Sequence, residues 1–436
     1  MEKKFREWCV EQAWLLPPSV LDFVPEGHPA HFVRDTVRES LDLSAILERY
    51  TEARGRPPFH PAMMVALLLY AYTQGIYSSR KIARACENRL DFMAVTGMEK
   101  PAHRTICLFR TQHAEALADL FKQVVRLCDR AGLIKLGHVA LDGSKVRANA
   151  SKHKGGNYKR LSREEESLSR DVEDWFRNAA ELDAAEDEEY GQDRRGDELP
   201  DWVKNKQKRL EKIQEAKKSL EDEAKQEAAQ KKEAAPKLRG GRKPKTPPGV
   251  PKDNVQRNLT DPESRIMKSP DGFQQCYNTQ LAVDSENQII VSQGVTNSAS
   301  DRHQLTPALR SIKENVGRQA GEISADGDYC SEENLKEISR RRIRGYVSTG
   351  RHYQSDETGR RTPPKPGTRA RAMWKRIRQA RHRSRYRLRK QVVEPVFGQI
   401  KFARQFRQFL LRGQAKVAAE WALICTAHNL LKLAKA

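Results

Sequence analysis

The chain lacks most of the features that mark secreted, zinc-binding or membrane proteins. Its cysteines (Cys9, Cys86, Cys107, Cys128, Cys276, Cys330 and Cys425) are scattered, with no Cys-x2-Cys pair and no histidine cluster at zinc spacing. An odd, dispersed set excludes a disulfide framework and suits reduced thiols inside a cell. The opening MEKKFREWCVEQ has no apolar stretch of the kind a secretory signal needs. The longest apolar run, AMMVALLLYAY at 62–72, is too short to span a bilayer. A cytoplasmic protein without membrane contact is expected. Hydrophobic residues make up only 38% of the 436, so part of the length must be solvated helix or linker rather than core.

What the chain has in excess is positive charge. Lys and Arg number 80 against 58 Asp and Glu, a formal net charge of +22. Such an excess points to a polyanionic partner, in the first place a nucleic acid, and says nothing about fold. The charge is concentrated. Residues 351–390 hold 15 Lys and Arg against two acids, and none of the acids falls between Arg369 and Lys390. With Trp374 and Tyr386 interleaved, this block reads as a mobile nucleic-acid-binding segment through Arg376, Arg378, Arg381, Arg383 and Arg385. The alternative is a solubilising helix face.

Residues 1–132 read as helical. Leu41 to Leu47 makes a short amphipathic piece. Pro61 starts a helix that is apolar nearly all round and so buried, and Gly75 ends it. Ser78 and Ser79 can cap the next helix, where Arg80, Lys81 and Arg84 alternate with Ile82, Ala83 and Ala85. A buried helix, a tight turn and a basic helix match a helix-turn-helix arrangement, or an ordinary helical hairpin. A single helix from about Thr105 to Arg130 closes the region.

From 133 the pattern changes. LIKLGHVALDGSKV predicts a strand with Asp142 at its end. CYNTQLAV (276–283) and QIIVSQGV (288–295) predict a hairpin turning at 284–287. A helix over 303–315, a strand over 322–326, a helix over 331–341 capped by Ser331, and a strand over 343–348 follow. The expected class is α/β: a ribonuclease-H-like mixed sheet with a long helical insertion, preceded by an all-α N-terminal domain. The insertion, 156–272, contains no expected sheet. Its Leu210, Ile213 and Leu220 have heptad-compatible spacing over one to two heptads, which suits a solvated hairpin or arm and is too short to establish a coiled coil. KLRGGRKPKTPPGVPKD (237–253) reads as a basic linker. EWALICTAHNLLKLA (420–434) predicts a strongly apolar helix docked on the sheet.

Three carboxylates carry the candidate chemistry: Asp142 in VALDGSKV, Asp326 in ISADGDYC and Glu394 in QVVEPVFG. Each sits where an apolar run meets Gly or Pro. Singly, each is more often a turn or cap residue. Together, delivered from two strands and a helix, they suit two divalent ions, because Mg2+ prefers oxygen ligands from Asp and Glu. In a sheet of this kind the first and fourth strands are adjacent, which would bring both aspartates to one edge. Lys401, seven residues after Glu394, falls on the same helix face. Pro395 places Glu394 at a helix start or a kink.

On these residues the chain resembles the DDE transposases of bacterial insertion sequences, whose last acid lies in a Tyr-x2-Arg-x3-Glu-x6-Lys signature. The likeness covers nearly the whole chain, including RPPFHPAMMVALLLYAYTQGIYSSRKI, LDGSKVRANAS, YGQDRRGDELP, NLTDPESRIMKSPDGFQQCYNTQLAVD, ADGDYCSEENL and RKQVVEPVFGQIK. It implies Asp142, Asp326 and Glu394 as the catalytic, metal-binding triad, with two Mg2+ or Mn2+ ions, and Lys401 as the signature lysine. Tyr386-x2-Arg389 is followed by four residues before Glu394, so either Arg389 or Lys390 fills the signature basic position. The implied division is an N-terminal DNA-binding domain (1–132), a catalytic sheet in two parts (133–155 and 273–350), the insertion (156–272), a basic DNA-binding segment (351–390) and C-terminal helices carrying Glu394 (391–436). Partners would be the element's terminal inverted repeats, target DNA and a second copy of the chain in the paired-end complex, in a nucleoid-associated location. A non-catalytic nucleic-acid-binding protein and another nuclease of the same fold are the rival readings.

Overall fold

The computed structural model describes residues 19–50, 57–190, 201–234, 246–349, 354–355, 361–379 and 385–436. Its N-terminal part contains helices α1 (Pro29–Glu39), α2 (Ser44–Leu47), α3 (Pro61–Thr73), α4 (Ser79–Asn88), α5 (Leu90–Thr96), α6 (His103–Gln112) and α7 (Ala114–Arg130). Pro61 occupies the first turn of α3, where its missing N–H costs nothing, and the His60 ring accepts from the Ala62 N–H. From Met64 to Thr73 every residue of α3 is buried, as its composition requires. The single helix expected over 105–130 is broken at His113. That residue is buried, stacks on Tyr50 and packs against Phe109, so tertiary contact overrides an otherwise continuous helical pattern.

The central sheet has the order β4–β5–β1–β7–β8, formed by β1 (His138–Arg147), β4 (Arg265–Ser269), β5 (Gly272–Asp284), β7 (Glu322–Ala325) and β8 (Arg344–Val347). A further strand, β6 (Ile290–Thr296), pairs with β5. β1, β7 and β8 are parallel, while β5 runs antiparallel to β1 and β6 antiparallel to β5. Two expectations are corrected. Asp142 lies in the middle of β1, because β5 pairs with it as far as Arg147. The stretch 156–272 is not free of sheet, because β4 joins the edge of β5. In β4 only Met267 is buried, a signal too thin to read beforehand.

The insertion is otherwise a helical hairpin of α8 (Tyr158–Tyr190) and α9 (Asp201–Ala234). At its base, β2 (Gly155–Asn157) pairs with β3 (Gln256–Asn258). Ile213 and Leu220 pack with Leu161 and Ala216 inside the hairpin, so the apolar seam is used within the chain. The stretch 191–200, which includes most of YGQDRRGDELP, lies outside the described residues, as does much of the basic linker. The remaining helices are α10 (Leu305–Val316), α11 (Glu332–Arg340), α12 (Arg369–Gln379), α13 (Leu388–Gly398) and α14 (Gln414–Leu433), with a two-residue pair of strands, β9 (Gln354–Ser355) and β10 (Arg361–Thr362), before α12.

Helix α14 joins the halves, packing against α3 and α7 on one side and β6 on the other. Its Asn429 accepts from the Ile290 N–H and donates to the Ile290 carbonyl, replacing a neighbouring strand for β6. Its fully buried Glu420 accepts from the backbone N–H groups of Leu410 and Leu411. The buried Arg110 of α6 lies within electrostatic reach of that carboxylate and donates to the Tyr72 hydroxyl and the Tyr77 carbonyl. Tyr77 in turn donates to the Arg404 carbonyl. Gly75, at φ +72°, must be glycine twice over, since a Cβ there would lie 2.9 Å from the same carbonyl. The helical region and the sheet thus share one polar seam. Glu420→Ala should cost about 3–5 kcal/mol, because it leaves two N–H groups and a buried guanidinium without their acceptor or counter-charge. Urea unfolding should show one transition at lower denaturant. Two separated transitions would mean that the halves fold independently.

Candidate active site

The register of two strands brings the aspartates together. His138 pairs with Glu322, Val139 with Ile323 and Ala140 with Ser324. Continuing the same register two residues onward sets Asp142 level with Asp326, at the carboxyl end of the parallel seam. There β7 stops and β1 continues on β5 alone. Each carboxylate accepts from the N–H of the glycine after it: Asp142 Oδ1 from Gly143 at 3.0 Å, and Asp326 Oδ1 from Gly327 at 2.7 Å. Burial pushes the Asp142 carboxyl up to about 6. Arg389 and the Gly143 N–H oppose that rise, while the negative charges of Asp326 and Asp301 add to it.

Glu394 sits in the interior of α13 and not at its start, with Pro395 following inside the same helix. Pro395 can offer no N–H to the Gln391 carbonyl four residues back. The Gln288 side chain donates to that carbonyl instead, at 3.4 Å. Arg389 of α13 links the acids, donating from one terminal nitrogen to Asp142 Oδ2 at 2.8 Å and lying 3.4 Å from Glu394 Oε1 with the other. Its Nε is buried without a hydrogen-bond partner, and the Tyr386 ring lies 6.0 Å from its guanidinium carbon. Lys390 is exposed. Of the two candidates for the signature basic residue, Arg389 is therefore the one turned to the acids.

After α13 the chain makes a π-helical turn, Gln399–Ala403, which carries Lys401 onto β1. Lys401 Nζ donates to Ser144 Oγ at 2.6 Å and to the Lys145 carbonyl at 2.7 Å. Burial lowers its pKa to about 8. The expectation of Lys401 on one α-helical face with Glu394 is replaced by this docked position, two and three residues along β1 from Asp142.

A polar cluster that no local pattern announced lies behind the aspartates. Asp301 Oδ1 accepts from Asn278 Nδ2 at 2.5 Å and from Gln280 Nε2 at 2.7 Å, with Lys145 Nζ at 3.7 Å. The buried Tyr329 hydroxyl, three residues past Asp326, donates to Gln280 Oε1. Gln280 stands opposite Gly143 across the β1–β5 pair. Two amides at alternate positions of an otherwise buried strand were the only signal available.

Among the described residues, no three His, Cys, Asp or Glu side chains stand close enough to grip one ion together. The expected closure of all three acids into one ligand group is corrected to that extent, since the Arg389 guanidinium stands between Asp142 and Glu394. The donor chemistry nonetheless suits a hard divalent cation: oxygen-only groups, with a half-buried aspartate that desolvation and, secondarily, its acidic neighbours keep protonated to about pH 6.

The other candidates lie elsewhere. Arg80, Lys81 and Arg84 form the exposed face of α4, whose Ile82, Ala85 and Cys86 are buried. The described part of the basic block, 369–379 and 385–390, is packed on the sheet side of the chain, against the expectation of a mobile segment. Helix α12 buries Ala370 and Met373 and packs on α11 and β8. Arg376 donates to the Gly345 carbonyl, Arg385 pairs with Glu322, and Arg378 stacks on Trp374. Arg381 and Arg383 fall outside the described residues.

Two outcomes follow from this packing. A Cβ at residue 143 would lie 2.7 Å from Asp301 Oδ1 and closer still to the Gln280 amide. Gly143→Ala should therefore cost about 1–3 kcal/mol in urea unfolding; wild-type stability would show that the Asp301–Gln280 pair does not press on β1. Asp142 behaves oppositely. The native chain holds its proton to about pH 6 and the unfolded chain to about 4, so stability from this group falls as pH rises through that window. Asp142→Asn should be more stable than wild type at pH 7, by something of order 3 kcal/mol in the absence of divalent ions, with the gain fading toward pH 4. A thermal-unfolding series showing a pH-independent difference would refute this.

Comparison with known families places both halves. Residues 18–112 match a family described as a transposase domain (DUF772), and residues 250–430 match the transposase DDE domain. No curated protein and no solved structure matches the chain. No helix among the described residues is long and apolar enough to cross a membrane. The N-terminal match covers α1 to α6, and the C-terminal match covers the sheet from β4 onward together with Asp326, Arg389, Glu394 and Lys401. On these two matches the chain belongs to the DDE-type transposases of insertion elements.

Proposed function

We propose that the chain cleaves and joins DNA strands at the inverted-repeat ends of its element, with Asp142, Asp326 and Glu394 as the catalytic carboxylates of a ribonuclease-H-like domain. The observation that carries this reading is the shared register level of Asp142 and Asp326, with Glu394 tied to Asp142 through Arg389. The strand order β6–β5–β1–β7–β8, with the last three parallel, supports the fold assignment.

Asp142, Asp326 and Glu394 would hold two Mg2+ or Mn2+ ions, which when bound supply charge neutralisation and Lewis-acid activation for in-line displacement at phosphorus. The chain's own groups position the substrate. Arg389 fixes the two acids it bridges and places positive charge beside them. Lys401, charged below about pH 8, adds positive potential beside Asp142. The basic face of α4 would read the terminal repeats, and Arg378 with its neighbours would contact the DNA backbone. Lys390, Tyr386, Arg376 and Arg385 would support the strand near the acids. Joining two ends requires two such sites, so a second copy is expected in the DNA-bound complex. With the apolar seam of α9 consumed inside the hairpin, the chain should be monomeric before DNA arrives.

The decisive assay combines the purified protein with labelled end duplexes, a target plasmid and divalent ions. We expect ion-dependent nicking at the element end and covalent joining to the target, both lost when the divalent ions are chelated. Asp142→Asn, Asp326→Asn and Glu394→Gln should reduce both to background while end binding persists. Binding without any strand chemistry would identify a non-catalytic DNA-binding protein, and cleavage without joining would identify a nuclease.

A further inference from the structure

We propose that the base of the α8–α9 hairpin is a second DNA-binding surface, taking the phosphate backbone of duplex DNA that leads away from the carboxylates. This rests on the function proposed above for its orientation, and on its own geometry for its chemistry. A cleft of about 570 Å3 opens where α8 and α9 leave the β2–β3 pair. Its α9 wall presents Lys208 and Lys212 at one-turn spacing, with Lys206 and Arg209 beside them. Lys154 and Arg160 face them from the opposite side. The carboxylate in that lining, Glu164, is engaged by Arg209, and Lys206 pairs with Asp171. Lys154, Arg160, Lys208 and Lys212 are exposed and form no ion pair among the described residues. Like charges held this close repel one another unless an anion lies between them.

The cleft also adjoins the strand that carries Asp142. His153 lines it and lines a neighbouring cleft of about 270 Å3, whose walls carry Arg147, Lys152 and glutamine amides but no carboxylate. Arg147 is the last residue of β1, the strand that carries Asp142. Five residues of strand span about 17 Å. That equals roughly five base pairs at 3.4 Å each. A duplex whose scissile phosphate lay at Asp142 would run along β1 and reach the hairpin base beyond its fifth base pair. The hairpin arm would then flank DNA instead of a second protein. Phosphate contacts of this kind fix register and carry no sequence preference.

The test is the quadruple variant Lys154→Ala, Arg160→Ala, Lys208→Ala and Lys212→Ala in the full chain. Its positions are exposed, so circular dichroism and the unfolding midpoint should match wild type. Binding to an element-end duplex is measured from low to moderate salt. The expected result is a log–log salt slope shallower by about 3.6, near 0.9 for each of the four lost contacts. Hydroxyl-radical protection should also be lost beyond the fifth base pair from the cleavage point, with protection at that point retained. A control lacking Arg310, Lys313 and Lys336, which are exposed on α10 and α11, should keep both slope and footprint. Repeating the footprint with labelled target duplex tells which DNA occupies the cleft. An unchanged slope, or a loss equal to the control's per charge removed, overturns the proposal whether or not the protein cleaves DNA. A shallower slope in a protein that never cuts or joins ends would keep the surface and refute the function proposed above.

Discussion

The pairing of β1 with β7 is the constraint on which the site depends. In a parallel pair the register decides which side chains stand abreast, and a slip of one residue would send Asp142 and Asp326 to opposite faces. Here the register is held from both sides of β1. Nine pairs with β5 fix its position, and β7 is fixed in turn by β8. Behind the acids, the Asp301–Gln280–Tyr329 hydrogen bonds tie β5 to the turn after Asp326. The aspartates therefore stand on the most heavily supported part of the sheet. Glu394 arrives on a helix and remains half exposed.

The cost of that arrangement is visible in charge. Asp142 is half-buried beside other acids and is uncomfortable when ionised, a cost relieved only in part by Arg389. Folding alone would favour a neutral residue there. Glu420 shows the contrast: it is fully buried and raised, yet two backbone N–H groups donate to it and it serves architecture. What separates the two is whether the surrounding donors complete the carboxylate's coordination.

Much of this was legible in the residues. Pro61 and an unbroken apolar run announced α3. Ser331, followed by Glu332 and Glu333, announced α11, and Ser331 Oγ does accept from the Asn334 N–H. The two Asp-Gly pairs at the ends of apolar runs singled out the aspartates. What escaped detection depended on distant partners. Nothing local distinguishes Arg389 from Lys390, since only the approach of β1 selects one. His113 breaks a helix because Tyr50 lies over it. Asp301 sits in a polar loop like many others until β5 supplies Asn278 and Gln280. The dense charge of 351–390 concealed Ala370 and Met373, whose burial docks α12.

The seam at Gly75, Arg110 and Glu420 has a geometrical consequence. With no flexible tether between them among the described residues, helix α4 and the carboxylates behave as the two jaws of a caliper whose opening is set by packed side chains. On the proposed function, a DNA end held by one jaw would meet the other at a fixed offset. Adding one base pair between the two contacts moves the phosphate by about 3.4 Å and turns it by roughly a tenth of a helical turn. The core would thus specify the spacing between recognised sequence and cut as strictly as any base contact specifies the sequence itself.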